Sequence, residues 1–210
     1  GLGTSSILAG AVLACLARFQ GRTLSEQELF DEVLCLEQML TTGGGWQDQV
    51  GGLVGGIKLV TSTPGLPQRL TVAPVALSPA VRADLARRFL LVYTGQQRLA
   101  KDLLRNVMGR WMERDPEMVS ILRRIAELAL AMRQALLEAN LDEFGRLLGE
   151  HWQLNKRMDP GCTNTFINGL FSFMEPYICG GKLAGAGGGG FAAVVARDAQ
   201  AAHDLAAALA

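Results

Sequence analysis

Net charge is missing from this 210-residue chain, because twenty basic residues are cancelled by twenty acidic ones. No overall field therefore draws it to nucleic acid or to an anionic membrane surface. Zinc-ligand spacing is missing too. There are two histidines, His151 and His203, and four cysteines, Cys15, Cys35, Cys162 and Cys179, none of them in a C-x-x-C pair. Such scattered thiols suit reduced cysteines in a cytoplasmic protein. The longest apolar run, Ile7 to Ala17, is too short to span a bilayer and contains Gly10. No charged leader with a cleavage site precedes it. Internal repeats are absent. The expectation is a cytoplasmic protein with no nucleic-acid and no membrane partner.

The patterns that are present alternate between strand and helix. Thr4 or Ser5 can cap a helix through Ile7 to Phe19 that Gly21 ends. Ser25 with Glu28 reads as a capping box for a second helix, whose apolar residues Leu29, Phe30, Val33, Leu36 and Leu40 recur at helical spacing. Strands are expected over Ile57 to Ser62, Leu70 to Leu77, Arg88 to Tyr93 and Phe191 to Ala196. Helices are expected over Lys101 to Trp111, Pro116 to Ala139, Leu141 to Lys156, residues 164–178, and Ala199 to Leu209. This mixture belongs to the α/β or α+β class.

Three clusters carry candidate chemistry. The first is Gly1-Leu2-Gly3-Thr4-Ser5-Ser6, which runs directly into an apolar helix. Glycines admit a phosphate close to the backbone, and the free amides of a helix start point at an anion. A plain helix cap is the alternative. The second is the glycine-rich stretch Gly43 to Gly52 around Trp46-Gln47-Asp48-Gln49, which places one carboxylate where a ligand can approach; a solvated Asp in a turn is the alternative. Glu37 belongs with it. Positions 30, 33, 37 and 40 form one stripe, so Glu37 shares the face expected to be buried. A carboxylate there needs either an arginine or a metal ion. The third cluster is Lys182-Leu183-Ala184-Gly185-Ala186-Gly187-Gly188-Gly189-Gly190, a loop of accessible amides leading into a strand. It is neither a Walker A loop nor a Rossmann fingerprint.

In this order the clusters resemble the GHMP kinases, the family named for galactokinase, homoserine kinase, mevalonate kinase and phosphomevalonate kinase. Gly1 to Ser6 is similar to the family's G-L-G-S-S phosphate motif, with Thr4 where serine is commoner, and Lys182 to Gly190 is similar to its late K-x-x-G-A-G-x-G-G motif. Trp46 to Gln49, and Tyr93-Thr94-Gly95 with Arg98, resemble the branch that holds L-fucose kinases and heptose-phosphate kinases. The resemblance implies an α+β fold of GHMP-like two-layer domains, helices packed on antiparallel or mixed sheet. Residues 1–75 are then part of an ATP-binding N-terminal domain and residues 76–210 a C-terminal domain. The family's first motif, with its Pro-Gly-Arg segment, is absent, and the chain opens at Gly1 inside a motif. A fragment with an incomplete N-terminal half is therefore expected.

The resemblance further implies ATP and magnesium as cofactors and L-fucose as the sugar substrate, phosphorylated on its anomeric hydroxyl. Gly1, Leu2, Gly3, Thr4, Ser5 and Ser6 would meet the nucleotide phosphates, as would the loop Gly185, Ala186, Gly187 and Gly188. Ser6 and Glu37 would hold the metal, and Asp48 would be the catalytic carboxylate. A heptose-phosphate substrate is the enzyme alternative; it calls for a basic cluster, which Arg98, Lys156 and Arg157 can supply. The alternative from another class is a fragment that binds nucleotide without catalysing transfer.

Overall fold

A computed structural model describes residues 2–40, 44–65, 67–96 and 101–210. Among these, the chain divides into two compact units, Leu2–Val75 and Ala76–Ala210.

The first unit is mostly helical. Helix α1 (Thr4–Phe19) and helix α2 (Glu26–Met39) are joined by a short connection, so they form a hairpin that returns α2's last turns to the start of α1. The capping box at Ser25 and Glu28 is present in both directions, fixing where α2 begins. A seven-residue helix α3 (Gln47–Leu53) follows, then the antiparallel pair β1 (Lys58–Ser62) and β2 (Leu70–Pro74), in register Val60 to Val72. Gln27 of α2 accepts from the Leu70 amide at 3.1 Å and so ties the helical layer to β2.

The second unit holds a three-stranded antiparallel sheet in the order β3-β5-β4, with β3 Phe89–Tyr93, β4 Ile178–Leu183 and β5 Phe191–Ala196. Helix α4 (Pro79–Arg88) precedes β3. Helices α5 (Lys101–Met112), α6 (Pro116–Leu137) and α7 (Leu141–Met158) fill the crossover to α8 (Thr165–Met174) and β4, and α9 (Ala199–Leu209) closes the chain. Two apolar clusters hold this unit. In one, Ile121, Leu128, Ala135, Leu147 and Leu154 lock α6 to α7. In the other, Trp152, Ile167, Met174, Leu183, Val194 and Leu205 join α7, α8, α9 and the sheet. The fold is α+β with antiparallel sheets, as expected.

Several local readings are revised. Helix α4 was not expected, because none of its residues is buried and it carries no apolar stripe. Strand β4 was hidden by its own glycines: Gly180 and Gly181 face α7 and β5 so closely that any side chain would collide. The helix expected over residues 164–178 stops at Met174, just ahead of Pro176. No described helix is long and apolar enough to cross a membrane.

Candidate active site

The opening helix starts on Gly3, not on Thr4 or Ser5. Gly3 sits at φ 69°, ψ 19°, and no side chain caps the helix. Left-handed backbone is cheap only for glycine, so this residue sets the sharp entry. The first amides of a helix have no intrahelical acceptor. Here the cap position supplies none, so no side-chain cap covers them. Thr4 and Ser5 are exposed, Leu2 is 44% exposed, and Gly1 lies outside the described residues.

Ser6 faces the other way. It is fully buried and donates to Glu37 Oε1 at 2.5 Å. Glu37 lies near the end of α2, 9% exposed, on a face with buried Phe30 and Val33. Its second oxygen, Oε2, accepts from Gln49 Nε2 at 3.3 Å. Leu40, expected on the same stripe, is 65% exposed, because the helix ends at Met39 and the stripe ends with it.

Asp48 was expected in a glycine-rich stretch open to a ligand, with a solvated turn as the alternative. It lies instead in the first turn of α3. A Cβ built on Gly3 would stand 3.2 Å from Asp48 Cβ and 3.3 Å from its Cγ, so the carboxylate packs directly against the cap of α1. Two further contacts fix that placement. A Cβ on Gly52 would lie 2.2 Å from Ile7 Cγ1, and one on Gly10 would lie 2.7 Å from both Leu53 methyl carbons. Pairing Gly3 with Asp48, Ile7 with Gly52 and Gly10 with Leu53 makes α3 parallel to α1, seated in glycine notches. Lys58 then closes α3's far end, donating to the carbonyls of Val54, Gly51 and Gly56, where a cation suits the helix dipole. Gly43 lies outside the described residues; Gly44 is tied to α2 through Gln38 at 2.6 Å.

The result is a compact oxygen cluster of Ser6 hydroxyl, Glu37 carboxylate and Gln49 amide, next to the uncapped start of α1, against which Asp48 of α3 packs. No group of three or more His, Cys, Asp or Glu residues among the described residues is arranged to hold a metal. An all-oxygen set with few carboxylates fits magnesium, which binds through one or two carboxylates and completes its shell with phosphate and water. It suits neither zinc nor a soft metal.

The late glycine loop belongs to the second unit. Gly185, Gly187, Gly188, Gly189 and Gly190 all have positive φ. The Gly188 amide donates to Cys162 O at 2.5 Å and the Gly190 amide to Gln96 O at 2.9 Å, while Thr94 bonds the Gly190 carbonyl through both its amide and its hydroxyl. A Cβ on Gly187 would stand 2.7 Å from Cys162 O. The loop is therefore held taut. Cys162 is presented by the turn Pro160–Cys162, which buried Asp159 braces by accepting from the Gly161 amide at 2.7 Å and from Asn106 at 3.1 Å. Lys182, at the head of this motif, lies in β4 beside His151, whose imidazole is lowered to about 4 by burial and by the Lys182 charge. Arg98 lies outside the described residues. Lys156 sits 6.0 Å from the Trp152 ring centroid and Arg157 pairs with Glu117 at 3.1 Å.

Sequence reasoning missed three residues that build the site: Gln49, Lys58 and the notch residue Gly52. Gln49 sits beside Asp48 in a stretch already singled out, but nothing in its spacing marks it as buried.

The chain matches the model of the GHMP kinases N terminal domain over residues 1–56 and that of the GHMP kinases C terminal over residues 132–210. It is 47% identical over 205 residues to a bifunctional fucokinase/GDP-fucose pyrophosphorylase of Arabidopsis thaliana, covering 98% of this chain and 19% of that protein. It is 38% identical over 202 residues to an L-fucokinase/L-fucose-1-P guanylyltransferase of Bacteroides fragilis, covering 96% of this chain and 21% of that protein. The chain thus spans about a fifth of the length of these relatives. Among solved structures it is similar to mevalonate kinase of L. major in complex with R-mevalonate, with TM-score 0.73 at 18% identity, over 99% of this chain and 60% of that one.

Proposed function

Because the chain belongs to the GHMP kinases, we propose that it carries the nucleotide-binding and catalytic part of an ATP-dependent L-fucose kinase acting in the cytoplasm, with residues 1–75 and 76–210 as its N- and C-terminal domain portions. The observation that carries this reading is the buried Ser6–Glu37 hydrogen bond beside an uncapped helix start on which Asp48 is packed. A structural cap or an arginine pair does not explain why a hydroxyl, a carboxylate and an amide are buried together there.

In this mechanism the amides of α1's first turn, with Leu2, Gly3, Thr4 and Ser5, meet the phosphate oxygens of ATP. In the second unit the loop Gly185, Ala186 and Gly187 is a candidate nucleotide contact, while the Gly188 amide is held by Cys162 O. Ser6 and Glu37 would hold magnesium, which when bound would offset the charge on the phosphates. Asp48 orients the anomeric hydroxyl of L-fucose and accepts its proton as the sugar oxygen bonds to the γ-phosphorus. The bond from that phosphorus to its bridging oxygen breaks, and the electron pair leaves with ADP. Little covalent chemistry falls to the protein in such a transfer; positioning and charge neutralisation dominate.

L-Fucose is favoured over a heptose phosphate on two grounds. Both curated relatives above carry fucokinase in their names. Of the basic residues that would bind an extra phosphate, Arg157 is engaged by Glu117 and Lys156 lies over Trp152. Release of ADP, measured with L-fucose and with a phosphorylated heptose, tests the assignment. Fucose-dependent release is expected. Turnover with the heptose alone overturns the substrate, and binding of magnesium-ATP with transfer to neither sugar identifies a non-catalytic nucleotide-binding chain.

A further inference from the structure

Gln49 is fully buried, and one half of its amide is explained while the other is not. Its Nε2 donates to Glu37 Oε2 at 3.3 Å, the oxygen that Ser6 does not bond. Its Oε1 is buried and has no hydrogen-bond partner among the described residues. Buried polar atoms are nearly always paired, so an orphan acceptor in a functional cluster points to a donor that arrives with a ligand.

Geometry restricts what that donor is. The two ends of an amide share one carbon, so Oε1 lies beside the Glu37 carboxylate. Turning the amide over would set oxygen against carboxylate and bury an unpaired N–H, so Glu37 fixes the orientation. Packing does not call for a glutamine either. Val50 is fully buried on the same helix, and the Gly10 and Gly52 notches already seat α3. An apolar side chain of equal length would satisfy the position if packing were its only duty.

We propose that Gln49 is a positioning residue for the divalent cation of the site: Nε2 holds Glu37 in the orientation that ligates, and Oε1 accepts from water of the hydrated cation. This rests on the kinase reading, since it takes Glu37 as a metal ligand. Magnesium gives up its waters reluctantly and usually keeps several, each a polarised donor. Groups that orient a metal ligand typically change metal affinity ten- to hundredfold when removed.

The test is Mn2+ titration of the whole chain followed by electron paramagnetic resonance of the free ion, with and without the non-hydrolysable nucleotide AMP-PNP. It compares the wild type, Gln49→Met and Glu37→Gln. Gln49→Met is expected to weaken Mn2+ binding by about tenfold or more while melting in EDTA as the wild type does or higher. Glu37→Gln is expected to weaken it at least as far. Wild-type affinity in Gln49→Met, with loss in Glu37→Gln, overturns the role of Gln49 and leaves the metal site standing. Equal behaviour of all three proteins, or no Mn2+ binding by any, removes Glu37 as a ligand and this inference with it. Should Gln49→Met fail to fold, Gln49→Glu supplies the answer: it is expected to melt low in EDTA and recover with Mn2+, and a melting shift equal in both conditions overturns the proposal.

Discussion

The two units bury different kinds of side chain. Among the described residues of Leu2–Val75, the buried polar side chains Ser6, Glu37 and Gln49 stand against only Ala17, Phe30, Val33, Val50 and Val75. In Ala76–Ala210 the buried set is dominated by large apolar residues, among them Met118, Ile121, Leu128, Trp152, Ile167, Met174, Leu183 and Leu205. Burying polar groups costs free energy unless each is satisfied, whereas burying apolar area stabilises. The first unit therefore gives a large share of its small interior to polar side chains, and the second gives most of its interior to apolar ones. Exposed large apolar residues do not follow that division: they occur in both units, among them Leu8, Val12, Leu16 and Phe19 along α1 and Trp111, Met112 and Phe166 in the second unit.

That contrast can be broken by mutating each side and measuring the other's property. Leu128 is fully buried between α6 and α7, and Leu128→Ala is expected to cost about 2–5 kcal/mol of stability, read by urea denaturation. Mn2+ affinity of the still-folded protein should not change. If it falls in step with stability, the units do not divide their roles.

A second probe uses pH. Burial, then the neighbouring Lys182 charge, lowers the His151 imidazole to about 4 from an ordinary value near 6.5, and its Nδ1 has no partner among the described residues. The unfolded chain then binds more protons than the folded one between these values. Stability is fully present above about pH 6.5 and is lost as pH falls toward 4, by at most about 3 kcal/mol. His151→Gln should flatten this limb of a melting-temperature profile. A profile identical to the wild type would show that other groups govern the acid limb.

Much of this was legible in the sequence because its signals were local. The capping box at Ser25, the strand Phe191–Ala196 and the helix Ala199–Leu209 appear where the patterns put them. Glu37 was conspicuous because a carboxylate broke an apolar stripe, and it is buried as that stripe requires. What was hidden depends on partners distant in sequence. Strand β4 contains two glycines that look like loop until Gly145 of α7 packs on Gly180. Asp48 looked like a turn residue, since α3 is too short and too glycine-rich to carry a helical period; it is helical because Gly52 and Gly10 admit Ile7 and Leu53. Gln49 lay in a stretch already singled out, but only the folded chain shows that its amide meets Glu37.

The central claim is that the cluster at the start of α1 performs phosphoryl transfer with Asp48 as base. Its most direct test is steady-state phosphorylation of L-fucose by Asp48→Asn, with AMP-PNP affinity measured on the same preparation. The account predicts a fall in kcat of about 10²- to 10⁴-fold or to zero at unchanged nucleotide affinity. Wild-type turnover in that variant would contradict it.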